Sequence, residues 1–257
     1  MKNLITTFAL FFIIIGAAHS QKPGKPMVNP AAVSKDGMAM AYYQRDHLRL
    51  AEDFSAYDSH SHSISKKQFL QQLTTGNYLP LRLNSPNGAW TYQLYKLTGR
   101  EGKDVKEIIQ QFAGNYLQHY EMEGKKFPPF HYVDLDGKVY TRENTKGKIL
   151  VLKSWFIRCQ ACNEEMPELN NVVDQYKNRK DILFVSIAFD TKMALVAFEK
   201  KKGFKYAIAP VKEHYISKTL KTNEYPTHWI INKQGIIVKM VNEPGELIAA
   251  LSREASK

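Results

Sequence analysis

The chain holds two cysteines, Cys159 and Cys162, with only Gln160 and Ala161 between them. At this spacing a pair can cycle between dithiol and disulfide, stay bridged as a crosslink, or supply half of a zinc site. In "KSWFIRCQACNEEMPELN" an apolar run comes before the pair and a helix-forming run after it. A cysteine in the first turn of a helix meets unpaired backbone N–H groups and the positive end of the dipole. Both favour the thiolate, which is the nucleophilic form. Cys159 takes that place if the strand ends near Phe156, and Cys162 lies one turn deeper on the same face. The positions divide the work: Cys159 attacks and Cys162 resolves. Arg158, next to the nucleophile, could lower its pKa further. Zinc would need two more ligands, usually from a second Cys or Cys/His pair. No second pair is present, and only a histidine brought in by folding keeps that route open. A static bridge over so short a loop restrains the unfolded chain little.

Composition bounds the setting of this chemistry. With 44% hydrophobic and 12% aromatic residues, most of the 257-residue chain can be globular. The net charge is +11, but the basic residues are scattered. Lys200, Lys201 and Lys202 read as the wet face of a helix, and nucleic acid is not an expected partner. At the start, Lys2, the apolar "LITTFALFFIIIGAA" and the small residues of "AHSQ" predict a signal peptide over residues 1–20, cut ahead of Gln21. The apolar run is shorter than the roughly 20 residues of a spanning helix. The mature protein is therefore expected to be exported to a periplasm or cell envelope, with no stable membrane insertion after cleavage. In an oxidising compartment such a pair cycles or stays bridged unless something reduces it.

The rest of the chain must position the pair. Residues 21–35, rich in Pro and Gly, read as a flexible lead-in. Residues 36–122 read as a mainly helical domain of unassigned role. Ser65 and Gln68 have capping-box spacing ahead of a helix that stops at Gly76. "YLPLRL" and "AWTYQLY" flank Asn87-Gly88 and predict one hairpin. Val105, Ile108, Ile109, Phe112, Tyr116 and Tyr120 share one face of a long helix. From residue 123 to 257 strands and helices alternate, which indicates an α/β sandwich around a central sheet. "FHYVDLDGKVYT" predicts a hairpin over Asp136-Gly137. "ILVLKSW" reads as a strand buried on both faces. "DILFVSIAFD", "FKYAIAPV", "PTHWIIN" and "GIIVKMV" follow as strands, with helices over "MALVAFEKK", "HYISKTL" and "PGELIAALSRE".

This arrangement resembles the thioredoxin superfamily, in particular the exported TlpA/ResA-like thiol–disulfide oxidoreductases, over about residues 123–257. "ILVLKSWF" runs straight into the motif, with Trp155 four residues before Cys159. Pro167 lies where the family's active-site helix is kinked. "EYPTHWIIN" matches the strand start that carries the family's cis-proline, here Pro226. The resemblance implies a thioredoxin-like sandwich with a central mixed sheet and an inserted helix and strand within residues 190–220. It also implies no cofactor beyond a redox-active Cys159–Cys162 disulfide. Protein thiols and disulfides would be partners, together with an electron donor that a membrane protein could supply.

The same resemblance nominates further residues. Glu165 stands where ResA-like proteins place an acidic residue that assists proton movement; a carboxylate there could accept the resolving thiol's proton. Tyr225, Pro226 and Thr227 would lie against the cysteines with Trp155 and Arg158 and bind substrate, whose extended backbone could pair with the unpaired segment before the proline. Lys153 replaces the buried aspartate of thioredoxins under the resolving cysteine; buried there, its pKa would be depressed and it could act as a base or hold a thiolate, while the favoured alternative is a side chain that snorkels out to solvent and takes no part. Lys153, Arg158 and Gln160-Ala161 depart from the family pattern and bear on the direction of electron transfer, which is expected to be reductive. A peroxide reductase with an antioxidant role shares the fold, but needs Ser or Thr where Cys159 stands and Pro where Trp155 stands. A third reading keeps the fold as a scaffold for a binding protein. His60 and His62 in "DSHSHS" are the one local metal-like cluster outside the motif and read as a solvated loop. His131, His214 and His228 have no visible partner; His228, two residues past the cis-proline candidate, could approach the cysteines but reads as a strand residue.

Overall fold

The computed structural model describes residues 24–257, so the signal-peptide segment lies outside the described residues. Its N-terminal part begins with α1 (Pro30–Val33) and α2 (Gly37–His47), the latter capped by the Asp36 carboxylate on the Ala39 N–H at 2.8 Å. After β1 (Ser55–Tyr57) and β2 (Ser63–Ile64), α3 (Lys66–Leu73) starts at the expected reciprocal Ser65/Gln68 capping box. β3 (Tyr78–Arg82) and β4 (Thr91–Lys96) form the expected hairpin, and α4 (Val105–Met122) is the expected long helix. The helices enclose Met40, Leu50, Phe69, Leu79, Tyr92 and Ile109 with one face of a four-stranded sheet ordered β2-β1-β4-β3.

Two features depart from the sequence reading. Strands β1 and β2 extend the hairpin to four strands, because β1 pairs in parallel with β4, more than thirty residues away in the chain. The flexible lead-in is corrected for residues 24–35. The Met27 N–H donates to the Arg82 carbonyl and the Asn84 N–H to the Lys25 carbonyl, both at 2.9 Å, while Val33 is buried. Gly24 fits this track because an added Cβ would stand 2.0 Å from the Asn84 carbonyl oxygen.

The C-terminal part opens with the hairpin β5 (His131–Val133) and β6 (Val139–Thr141), turning through Gly137 at φ +87°. Next come β7 (Ile149–Trp155), α5 (Gln160–Glu164), α6 (Met166–Gln175) and β8 (Ile182–Ala188). The inserted pair is α7 (Lys192–Lys202) and β9 (Ala207–Pro210). "HYISKTL" forms a π-helical turn, Tyr215–Thr219, in place of the expected helix. Its Leu220 N–H reaches back five residues to the Tyr215 carbonyl at 3.1 Å. β10 (Thr227–Ile231), β11 (Ile237–Val241) and α8 (Pro244–Ala255) complete the chain.

These strands make a mixed sheet ordered β11-β10-β7-β8-β9, with β7, β8 and β9 parallel and β10 and β11 antiparallel to their neighbours. Every residue of β7 is buried, as its unbroken apolar run requires of a central strand. Ile149, Val151 and Trp155 face a core with Leu169 and Leu247, while Leu150 and Leu152 face Phe127, Tyr132 and Ile216 on the other side. The outer edge of β11 is taken by the chain's own residues 124–127, through Gly124 N to Ile237 O at 2.8 Å and Phe127 N to Gly235 O at 2.9 Å. On the far edge the Leu135 N–H donates to Ile208 of β9 at 2.9 Å.

The two parts meet along α4, β11 and α8. Lys239 on β11 donates to the Ala51 carbonyl at 2.7 Å and pairs with Glu123 at 3.0 Å. Arg253 on α8 pairs with Glu52 at 2.9 Å, and within the N-terminal part Lys66 holds the carbonyls of Ala51 and Glu52 at 3.0 and 2.7 Å. Tyr116 donates its hydroxyl hydrogen to buried Glu246 at 3.3 Å. Burial, with Glu243 nearby, pushes the Glu246 carboxyl up to about 7.

Candidate active site

Cys159 is the N-cap of α5, at the C-terminal end of β7, and its backbone is extended (φ −74°, ψ 106°). Its Sγ accepts the Cys162 N–H at 3.2 Å, so the sulfur takes one of the helix start's unpaired donors. The loop before it is fastened: the Ile157 N–H donates to Asp190 at 2.8 Å, and Asn163 donates to the Ile157 carbonyl at 2.9 Å. Cys159 and Cys162 form a disulfide with their Cα atoms 5.3 Å apart. Cys159 is 7% exposed and Cys162 0%, which makes the first sulfur the approachable one. Glu165 both ends α5 and begins α6, with Pro167 in the first turn of α6, so the expected kink falls there.

Beneath the disulfide lies a buried charged row. Lys153 does not reach solvent; it is 0% exposed and donates from Nζ to the Cys162 carbonyl at 3.2 Å and to Glu165 Oε1. His228, also fully buried, is the cross-strand register partner of Lys153 and places Nε2 3.1 Å from Glu165 Oε1 and 3.2 Å from Oε2. Burial pushes the Lys153 ammonium down, partly opposed by Glu165. Burial alone would raise Glu165, but the His228 hydrogen bond and the Lys153 charge outweigh it and hold the carboxyl below its usual range. Burial pushes His228 down, so the neutral ring donates through Nε2–H to the carboxylate. His228, read from sequence as a strand residue that could approach the cysteines, does lie in this row, and its contact with Glu165 is what sequence reasoning missed. The signal available was an ionisable residue in an otherwise apolar buried strand, as for Lys153.

The other nominated residues divide. The Tyr225–Pro226 peptide is cis, as expected. The Pro226 carbonyl accepts from Asn242 at 2.6 Å, whereas the Tyr225 backbone has no hydrogen-bond partner among the described residues. The half-buried Tyr225 ring packs edge-on to Phe156 and Phe189, with centroids 5.4 and 5.6 Å away. Arg158 is exposed and makes no ion pair among the described residues. Two substrate-binding assignments are corrected. Trp155 is 0% exposed because its ring packs into the core on Phe198 of α7 and on Phe204. Thr227 is equally buried, its hydroxyl committed to the Glu224 carbonyl at 2.6 Å. In "DSHSHS", Asp58 accepts the His60 and His62 N–H groups, both at 2.8 Å, and the His62 ring at 3.1 Å, closing the exposed β1–β2 turn.

A cysteine pair at a helix start, facing a cis-proline across the end of a mixed five-stranded sheet, defines a thioredoxin-like redox protein. The AhpC/TSA family profile matches residues 124–240. ResA thiol–disulfide oxidoreductase of Bacillus thuringiensis subsp. konkukian is 30% identical over 131 residues, which cover 51% of this chain and 76% of the relative. The ResA of Bacillus subtilis is 28% identical over 120 residues, covering 46% and 66%. A solved thiol–disulfide oxidoreductase from Bacteroides fragilis aligns at TM-score 0.46 and 21% identity, over 50% of this chain and 98% of that one. The thioredoxin domain of a Bacteroides vulgatus thiol–disulfide oxidoreductase aligns at TM-score 0.47 and 17% identity, over 51% and 96%. The chain belongs to the TlpA/ResA-like family of thiol–disulfide oxidoreductases.

Proposed function

We propose that the protein is exported and reduces disulfides in client proteins. The observation that carries this reading is the asymmetry of the pair: Cys159 is approachable and capped by an N–H donor, while Cys162 is sealed beneath it. The Cys159 thiolate attacks one sulfur of the client disulfide, forming a mixed disulfide and releasing the other client sulfur as a thiolate that takes a proton from solvent. Cys162 then gives its proton to the Glu165 carboxylate and attacks Cys159 Sγ, freeing the second client thiolate. Two electrons leave the cysteine pair, which ends oxidised and is restored by an external dithiol donor. The unpartnered Tyr225 backbone, next to Pro226, supports pairing with an extended client segment. Arg158 stands at the same rim and would meet the client.

The reductive direction is supported by the charge balance beneath the pair. A strongly oxidising couple is one whose reduced thiolate is heavily stabilised. Here the Lys153 charge is matched by Glu165, and Arg158 is solvated, so the backbone donor of Cys162 is the main support for a thiolate. Export is supported by the charged and apolar pattern of residues 1–20.

Redox titration of the Cys159–Cys162 couple tests the direction. A midpoint near the roughly −270 mV of thioredoxin is expected, and one near the roughly −120 mV of DsbA would overturn it. Trapping by Cys162→Ser tests the roles: the variant should accumulate mixed disulfides through Cys159, and Cys159→Ser should accumulate none.

A further inference from the structure

The buried imidazole of His228 contributes nothing to packing that an aliphatic side chain would not supply better. It is wholly enclosed in β10, and Nδ1 has no hydrogen-bond partner, a cost that a valine there would avoid. Its one polar contact is Glu165, reached from the neighbouring strand in register with Lys153. We infer that His228 is a positioning residue for the resolving step, a neutral donor that holds the Glu165 carboxylate ionised and in place beside Cys162. The inference rests on the reading of Glu165 as the acceptor of the resolving thiol's proton.

Every charged or titratable group facing Glu165 fits this role. Lys153 from β7 takes Oε1 and also holds the Cys162 carbonyl, so its position is tied to the helix. The His228 Nε2 stands between the two carboxylate oxygens, at 3.1 and 3.2 Å, and fixes the rotation of the group. Tyr206 from β9 and Glu243 at the start of α8 lie within electrostatic range, and neither forms a hydrogen bond with Glu165. The ring need not change charge during the cycle. Nε2–H can donate to a carboxylate before proton transfer and to the carbonyl oxygen of the carboxylic acid afterwards. Protonation of Nδ1 would bury an N–H with nothing to accept it.

The test separates capture from resolution in single-turnover reactions of the full chain with a disulfide-bonded peptide, followed across pH for wild type, His228→Leu and His228→Gln. Capture is read in the Cys162→Ser background and resolution in the native pair. In His228→Leu burial acts on Glu165 with one donor fewer, so the acid limb of the resolving rate should move up by about one pH unit, roughly tenfold in rate on that limb. Capture should be unchanged. His228→Gln, whose amide can donate from a similar reach, should return the limb toward wild type. His228→Asn, polar but too short, supplies the same comparison if the leucine variant does not fold. A resolving limb that stays in place in the leucine or asparagine variant overturns the inference. If Cys162→Ser captures no peptide in any background, the reading of Cys159 as nucleophile falls, and this inference falls with it.

Discussion

At the residue scale, the site sets three ionisable side chains in a dry layer beneath a disulfide, where each group's state depends on its neighbours. Glu165→Gln keeps the shape of the acceptor but removes its basicity. General-base assistance typically contributes ~10²–10⁴-fold. Resolution should therefore slow by about 100-fold, with the mixed disulfide visible by mass spectrometry during turnover. Lys153→Met leaves the carboxylate buried with a single neutral donor. Breaking a buried ion pair from one side costs about 3–5 kcal/mol. Glu165 has a depressed folded pKa, so its contribution is present above the unfolded carboxylate value and disappears as pH falls through the lower folded one. The loss in Lys153→Met, measured by urea unfolding, should thus be largest near neutrality and shrink toward pH 4, where the unpaired carboxyl takes up a proton.

At the element scale, the parts that could be read from sequence carried their own local signals. The Ser65/Gln68 box, the Asn87-Gly88 turn, the all-apolar run of β7 and the proline after the cysteines each specify their element within a few residues. Strands β1 and β2 do not, because three and two residues have no period to read and their partners come from β4. The turn at residues 215–219 has the apolar spacing of a helix but too few residues to complete one. The resemblance nominates Trp155 and Thr227 by their places beside the cysteines and the cis-proline, whereas strand alternation and burial decide which way a side chain points. His228 needed the register of β10 against β7, which no local pattern encodes. Removing the α3 cap by Ser65→Ala should cost about 1 kcal/mol of stability in denaturant unfolding, with the redox kinetics unchanged.

At the scale of the whole molecule, the N-terminal part is joined to the redox part by buried polar contacts. Glu246, buried and hydrogen-bonded to Tyr116, is a titratable member of that seam. Its folded value is raised above the unfolded one, so the stability it contributes is full below the ordinary carboxylate range and fades as pH rises through about 7. Glu246→Gln keeps an acceptor for Tyr116 without the charge. It should stabilise the protein at pH 8 by on the order of 2 kcal/mol and have little effect at pH 4, as read from thermal unfolding at both values.

The partly covered rims of the redox sheet bear on how clients would be chosen on the proposed reading. Residues 124–127 pair with the start of β11 and Leu135 with Ile208 of β9, so the chain's own backbone takes part of each margin. Exposed margins are where unrelated chains add on and aggregate. On the proposed reading, the unpartnered backbone of Tyr225, next to the cis-proline, is where a client strand would pair. If clients do pair there, unfolded, cysteine-bearing segments would be favoured, and folded proteins with sheltered disulfides would pass by unreduced.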